Sequence, residues 1–123
     1  MQSLKIGQWE VPVPIIQGGM GVGVSLSGLA GAVAREGGIG VISTAQIGFA
    51  EEGFERDQPA ANLRAIRKHI ARAKEIAGGN GLVGVNVMTA LKHYADHVLS
   101  LIHICVAGGR NEGVGRGESA ADR

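Results

Sequence analysis

Three short apolar runs, at residues 14–17, 39–43 and 82–88, alternate along the chain with segments of helical periodicity. The middle run is continuously apolar rather than alternating, which is typical of a parallel strand covered on both faces. Strands separated by amphipathic helices indicate right-handed strand–helix–strand crossovers and a parallel sheet. The pattern therefore predicts an α/β protein with about three strand–helix units.

The predicted helices have recognisable starts and stops. Ser25 is a candidate N-cap for the first helix, and Gly37 and Gly38 are candidates for the left-handed stop at its end. Gly28 and Gly31 inside this helix each cost about 1 kcal/mol relative to alanine, which predicts that the helix lies very close to a sheet. The sequence Asp-Gln-Pro at residues 57–59 marks the start of the second helix.

The C-terminal segment departs from this pattern. A third helix is predicted over residues 90–101, and residues 100–109 could form a fourth strand, although no turn signal separates the two. From Gly108 the chain is polar and rich in glycine, which predicts disorder. We therefore divide the sequence into a domain at residues 1–99 and an atypical, disordered tail at residues 100–123.

Composition limits the classes of function. The net charge is +1 and only 3% of the residues are aromatic, whereas a nucleic-acid surface needs a basic stripe and usually stacking aromatics. The single cysteine, Cys105, allows no internal disulfide and fits a reducing compartment. The N-terminus lacks the apolar core of a signal peptide, and no stretch has the roughly 18 uninterrupted apolar residues of a membrane span. These features predict a cytoplasmic protein with neither a nucleic-acid nor a membrane partner.

A glycine-rich loop, QGGMGVG at residues 17–23, follows the first predicted strand. A Walker A loop requires a Gly-Lys pair, which the chain lacks, and the glycines do not match the register of the dinucleotide fingerprint. The third possibility is the mouth of a barrel, where the carboxyl ends of parallel strands form the site. There the glycine backbone can approach a flat ring, Met20 can contact that ring, and Asn86 can hydrogen-bond its edge.

The candidate side chains also have simpler explanations. Met20 could fill the core, and Asn86 could cap a strand end or a turn. His93 and His97 are four residues apart on a predicted helix, but two ligands make no metal site, and a solvated helix face is favoured. His69 is expected to be exposed on the basic second helix. No metal site is predicted.

Three sequence blocks, PIIQGGMG, LAGAVAREGGIGVIS and VGVNVM, resemble the N-terminal part of the nitronate monooxygenase family and lie within residues 11–99. The resemblance implies an FMN-dependent TIM (β/α)8 barrel, of which this chain supplies about three of the eight units. It implies that Gly19, Met20 and Gly21 contact the flavin and that Asn86 hydrogen-bonds the FMN. The histidine base of the family lies beyond the matched region, so the catalytic residue stays unknown.

The resemblance also implies a reaction. Members of the family oxidise alkyl nitronates with O2 to a carbonyl compound and nitrite, so the expected small-molecule substrate is a nitronate or nitroalkane. Flavin-dependent enoyl-ACP reductases have similar motifs and remain an alternative, as do an inactive remnant and a non-enzymatic binding module. The family pattern fails near residue 100, so we interpret the chain as an N-terminal fragment, ended near Leu99 by truncation, frameshift or a chimeric gene. Alone, it is expected to be inactive and colourless.

Overall fold

The computed structural model describes residues 1–107, with side chains described as far as residue 102. Within this part of the chain the elements are β1 (Leu4–Ile6), β2 (Trp9–Val11), α1 (Ser27–Arg35), β3 (Ile39–Ser43), α2 (Gln58–Ala77), β4 (Leu82–Asn86) and α3 (Tyr94–Ala107). The helices that alternate with β3 and β4 confirm the predicted α/β class.

The first two strands form an antiparallel hairpin that the sequence analysis did not predict. Leu4 pairs with Val11 and Ile6 with Trp9, and Gly7 in the turn has φ +60°. Glycine adopts this left-handed conformation without a steric penalty. Each strand has three residues, which is shorter than the alternating run needed to recognise a strand from its pattern.

In the described part of the chain the parallel sheet has two strands, and the further strand predicted at residues 14–17 is reduced to a single bridge. β3 and β4 pair in parallel register from Ile39 opposite Leu82 to Ser43 opposite Asn86. Residues 15–17 lie on the other side of β3, where the bridge between Ile16 and Ile39 is also parallel. Consecutive parallel segments are therefore neighbours in space, which brings their carboxyl ends to one edge.

The backbone of α1 lies directly against the backbone of the sheet. The glycine that allows this close approach is in β3 and not in the helix. A β-carbon at Gly40 of β3 would overlap the carbonyl oxygen of Ala30 in α1. Gly31 instead faces α2, where its β-carbon would lie 2.7 Å from Cβ of Ile76, and Gly28 faces open space. The interpretation of Gly28 and Gly31 as sheet-contacting positions was wrong, although the close approach itself is present.

The core between the sheet and the helices is aliphatic. Its largest fully buried apolar side chains include Ile42 of β3, Ile47 of the following loop and Ile66 of α2. Ile70 of α2 and Val85 of β4 belong to the same cluster. Because this cluster joins β3, β4 and α2, it fixes the strand ends relative to the loop that follows β3.

Two of the three predicted helix boundaries are confirmed. The Asp57 side chain accepts a 3.1 Å hydrogen bond from the amide of Ala60 at the start of α2. Gly37 after α1 has φ +96°, whereas Gly38, the other residue predicted for this stop, does not have a positive φ. The N-cap assigned to Ser25 was wrong. Leu26 occupies that position without a side-chain cap, because the Ser25 hydroxyl is bonded elsewhere.

α3 continues beyond the predicted third helix. It extends from Tyr94 to Ala107, so the fourth strand proposed at residues 100–109 was wrong as far as residue 107. The division placed after residue 99 falls inside α3, and the remainder of the expected disordered tail, residues 108–123, lies outside the described residues. Among the helices in the described region, none is both long and apolar enough to cross a membrane.

Candidate functional site

The carboxyl ends of the three parallel segments meet at one edge of the sheet. The amide of Gln17 donates to the carbonyl of Ile39, so the first segment runs alongside β3 before it turns away. At the far end of β3, Thr44 donates both its amide and its hydroxyl to the carbonyl of Asn86, at 3.2 Å and 3.0 Å. These bonds hold the last residues of β3 and β4 together beneath the glycine loop.

The Gln17 side chain completes the sheet where the backbone leaves it. Its Oε1 accepts a 2.9 Å hydrogen bond from the amide of Val41, where a longer parallel strand would present a backbone carbonyl. Its Nε2 donates to the Ser25 hydroxyl at 3.0 Å. The chain can therefore leave the sheet at Gly18 without leaving the Val41 amide unpaired. The sequence analysis did not identify this role.

Ser25 closes the glycine loop. Its buried hydroxyl accepts a 2.9 Å bond from the amide of Met20, and its own amide donates to the carbonyl of Met20 at 3.2 Å. The carbonyl of Ser25 accepts the amide of Ser43 at 2.9 Å, which attaches the loop to the end of β3. The loop is thus fixed at both ends by backbone groups, and Ser43 is buried beneath it.

Gly19 lies directly on the side chain of Asn86. A β-carbon at Gly19 would lie 2.8 Å from Nδ2 and 2.9 Å from Cβ of Asn86, closer than real β-carbons approach. Gly21 follows with φ +33°, a left-handed conformation that disfavours other residues. We refer to Gly19, Met20, Gly21 and Asn86 as the strand-tip rim. The structure thus brings together at one edge the four residues singled out from the sequence.

The side chains of the rim face outward. Met20 is 45% exposed, which contradicts the alternative that it fills the core. Asn86 is also exposed, and its backbone carbonyl, not its side chain, accepts the bonds from Thr44. The side-chain amide of Asn86 makes no hydrogen bond to any described residue, whereas the side chain of a capping residue would bond to nearby backbone. The Asn86 amide is therefore free to donate and accept at the surface of the rim.

Two histidines are more buried than the sequence indicated. His69 is partly buried, and its Nδ1 lies 3.0 Å from Oγ and 3.4 Å from the amide of Ser27 at the start of α1. Because an amide can only donate, Nδ1 is an acceptor and the ring is neutral in this arrangement. Burial lowers the pKa of His69, with a smaller lowering by Lys68 and an opposing effect of Glu51. The expectation that His69 is exposed was wrong.

His97 was expected on a solvated helix face and is 3% exposed instead. Neither ring nitrogen has a hydrogen-bond partner among the described residues. Burial is the main reason that its pKa is lowered, and His93 lowers it further while Asp96 opposes. Within the described part of the chain, no group of three or more His, Cys, Asp or Glu side chains is suited to a metal ion.

The fold and the rim define an α/β protein with a candidate ligand surface made of glycine backbone at the ends of parallel strands. The family model of nitronate monooxygenase matches residues 2–107, which is most of the chain. The chain therefore belongs to the nitronate monooxygenase family, a family of oxidoreductase enzymes. Neither the search of curated proteins nor that of solved structures gave a match. The matched region includes both the N-terminal hairpin and α3, beyond the blocks that first suggested the family.

Proposed function

We propose that the strand-tip rim binds the isoalloxazine ring of FMN, and that the three strand–helix units belong to a (β/α)8 barrel that oxidises alkyl nitronates. The observation that supports the proposal most strongly is the contact between Gly19 and Asn86. It places the exposed side chain of Asn86 directly against the backbone of the glycine loop. Family membership supports the reaction class, since the family is that of nitronate monooxygenases.

The residues of the rim fit a flat aromatic cofactor. Gly19 packs directly on the Asn86 side chain, so loop backbone and a polar side chain lie side by side at the strand ends. The Asn86 amide offers both a donor and an acceptor, which suits the polar edge of an isoalloxazine. Met20, fixed through its amide by Ser25, offers a polarizable sulfur at the same edge.

FMN, when bound, would supply the electron transfer between the nitronate and O2. The part assigned to this chain is binding and orientation. Asn86 would fix the direction of the ring, while Gly19 would set how deeply it lies. Gln17 and Ser25 would keep the loop in place through their bonds to Val41 and Met20. We assign no proton transfer to any of the described histidines.

The test is a titration of the chain with FMN and riboflavin, followed by the quenching of flavin fluorescence. We expect weak binding that is similar for the two flavins, because the rim contacts the ring and barrel-bound phosphates usually lie on loops after strands seven and eight. Weak binding also explains why we expect the chain to purify colourless. Asn86→Leu should weaken binding by about tenfold, which corresponds to about 1.4 kcal/mol.

The matched control is Asn80→Leu. Asn80 precedes β4 at the opposite end of the sheet and donates to the carbonyl of Arg35. Its replacement should leave flavin binding unchanged. Equal flavin affinity of the wild-type chain and Asn86→Leu, or an equal loss in Asn80→Leu, would contradict the proposed site. Circular dichroism of each variant verifies that the fold is retained.

A further inference from the structure

An exposed phenylalanine lies against the end of the glycine loop farthest from Asn86. A β-carbon at Gly23 would lie 3.1 Å from Cζ and 3.2 Å from Cε1 of Phe49, so the ring rests on the loop backbone. Phe49 is nevertheless 46% exposed, in a chain with only two phenylalanines. An aromatic ring that contacts backbone with its tip and is otherwise partly exposed is suited to an apolar ligand.

The segment before Phe49 holds the ring in this position. Ile47 is buried in the core, and the amide of Gly48 donates to Oδ1 of Asn62 in α2 at 2.8 Å. A β-carbon at Gly48 would lie 2.6 Å from the backbone of Ala61, so this residue is pressed against α2. These contacts leave Phe49 outside the core, on the side of the glycine loop.

One residue in this segment has an uncommon backbone conformation. Gln46 has φ +46°, and it is the one non-glycine residue in the described part of the chain with positive φ. Its carbonyl accepts the amide of Phe49 at 3.0 Å, which closes the turn. Left-handed conformations of ordinary residues are unfavourable and persist where the surroundings impose them, often at ligand sites. The turn that presents Phe49 is therefore imposed by its packing.

The glycine loop connects Phe49 to the strand-tip rim. Four peptide units separate Gly19, which contacts Asn86, from Gly23, which contacts Phe49, and they span at most about 14 Å. Val22 lies between them and is exposed. The surface thus changes from a polar end at Asn86 to an apolar end at Phe49 within the length of a small ligand.

We propose that Phe49, together with Val22 and Val24, forms the wall that binds the alkyl chain of the substrate. The protein then prefers alkyl nitronates with longer chains over the shortest ones. This inference rests on the proposed function, because it concerns the substrate that lies beside the ring. Burial of each methylene against such a wall strengthens binding by about twofold, and complete burial would give about fourfold.

The test is binding of ethyl, butyl and hexyl nitronate to the full chain in the presence of FMN, measured by saturation-transfer NMR. In the wild-type chain we expect the dissociation constant to fall about twofold for each added methylene. Phe49→Ala should abolish most of this dependence, and Phe49→Leu should retain about half of it. Leu99→Ala removes another exposed apolar side chain, from α3, and should behave as the wild type.

The possible outcomes separate the two proposals. Binding that does not depend on chain length, or a dependence unchanged in Phe49→Ala, overturns the role of Phe49 and leaves the flavin site standing. Absence of nitronate binding at every chain length overturns the proposed function together with this inference. Sedimentation velocity tests whether a second copy of the chain binds this wall instead. Self-association that Phe49→Ala abolishes would show that it does, and would also overturn the inference.

Discussion

Replacement of Gly40 by alanine tests how closely α1 packs on the sheet. The new β-carbon would overlap the carbonyl oxygen of Ala30 and lie 2.5 Å from its carbonyl carbon, whereas ordinary contact begins at 3.4 Å. The carbonyl carbon alone requires α1 to move by about 0.9 Å, and the closer oxygen requires more. Gaps of about 0.5–1 Å already forfeit a quarter to a half of the dispersion attraction across an interface. We expect a loss of at least about 3 kcal/mol, above the usual range for overpacking because the obstacle is backbone.

Gly84 of β4 provides the matched control, because it is also a strand glycine without positive φ. Its β-carbon would meet Val41 at 3.6 Å and Ile39 at 3.8 Å, which is ordinary contact. Gly84→Ala should therefore stabilise the protein by about 0.5–1 kcal/mol, the usual penalty of glycine within a strand. Urea unfolding followed by circular dichroism measures both variants. A Gly40→Ala protein as stable as Gly84→Ala would refute the close packing of α1.

Three further perturbations address the loop and the histidines. Gln17→Leu removes the acceptor of the Val41 amide and should cost about 1–3 kcal/mol, with faster hydrogen exchange at that amide; unchanged exchange would contradict its role. The lowered pKa values of His69 and His97 mean that stability is complete above the ordinary histidine pKa of 6.5 and falls as the pH decreases below it. His69→Gln should reduce this pH dependence of the urea midpoint, and an unchanged slope would argue against the neutral ring bonded to Ser27. His97→Leu should be neutral or stabilising by about 1 kcal/mol because it removes unpartnered polar atoms, and a marked loss of stability would contradict that view.

Much of the architecture could be predicted because its signals are local. The apolar runs at β3 and β4, Asp57 at the start of α2 and Gly37 after α1 each depend on neighbouring residues alone. The resemblance to the family singled out the four rim residues, and the shared edge of consecutive parallel strands predicted that they lie together. Their position is confirmed, and their role in binding stays a prediction.

The residues that were missed depend on contacts between distant parts of the chain. Ser25 has the usual sequence context of an N-cap, but its hydroxyl bonds to Met20 because the loop folds back over β3. The Gln17 side chain accepts a hydrogen bond from the Val41 amide of β3, and the sequence of one segment does not show which residue of the neighbouring strand it will face. His97 is buried by the packing of its helix, and the apolar residues at 100–107 fit helix and strand equally well by pattern.

The most direct test of the flavin surface uses the three methionines, Met1, Met20 and Met88, labelled with carbon-13 at their methyl groups. Added FMN should shift the methyl signal of Met20 through the ring current of the isoalloxazine, while Met1 stays unchanged. Met20→Leu identifies the signal. A Met20 signal that does not move when FMN saturates the protein, or one that moves no more than that of Met1, would contradict the claim that the ends of these parallel strands form a flavin site.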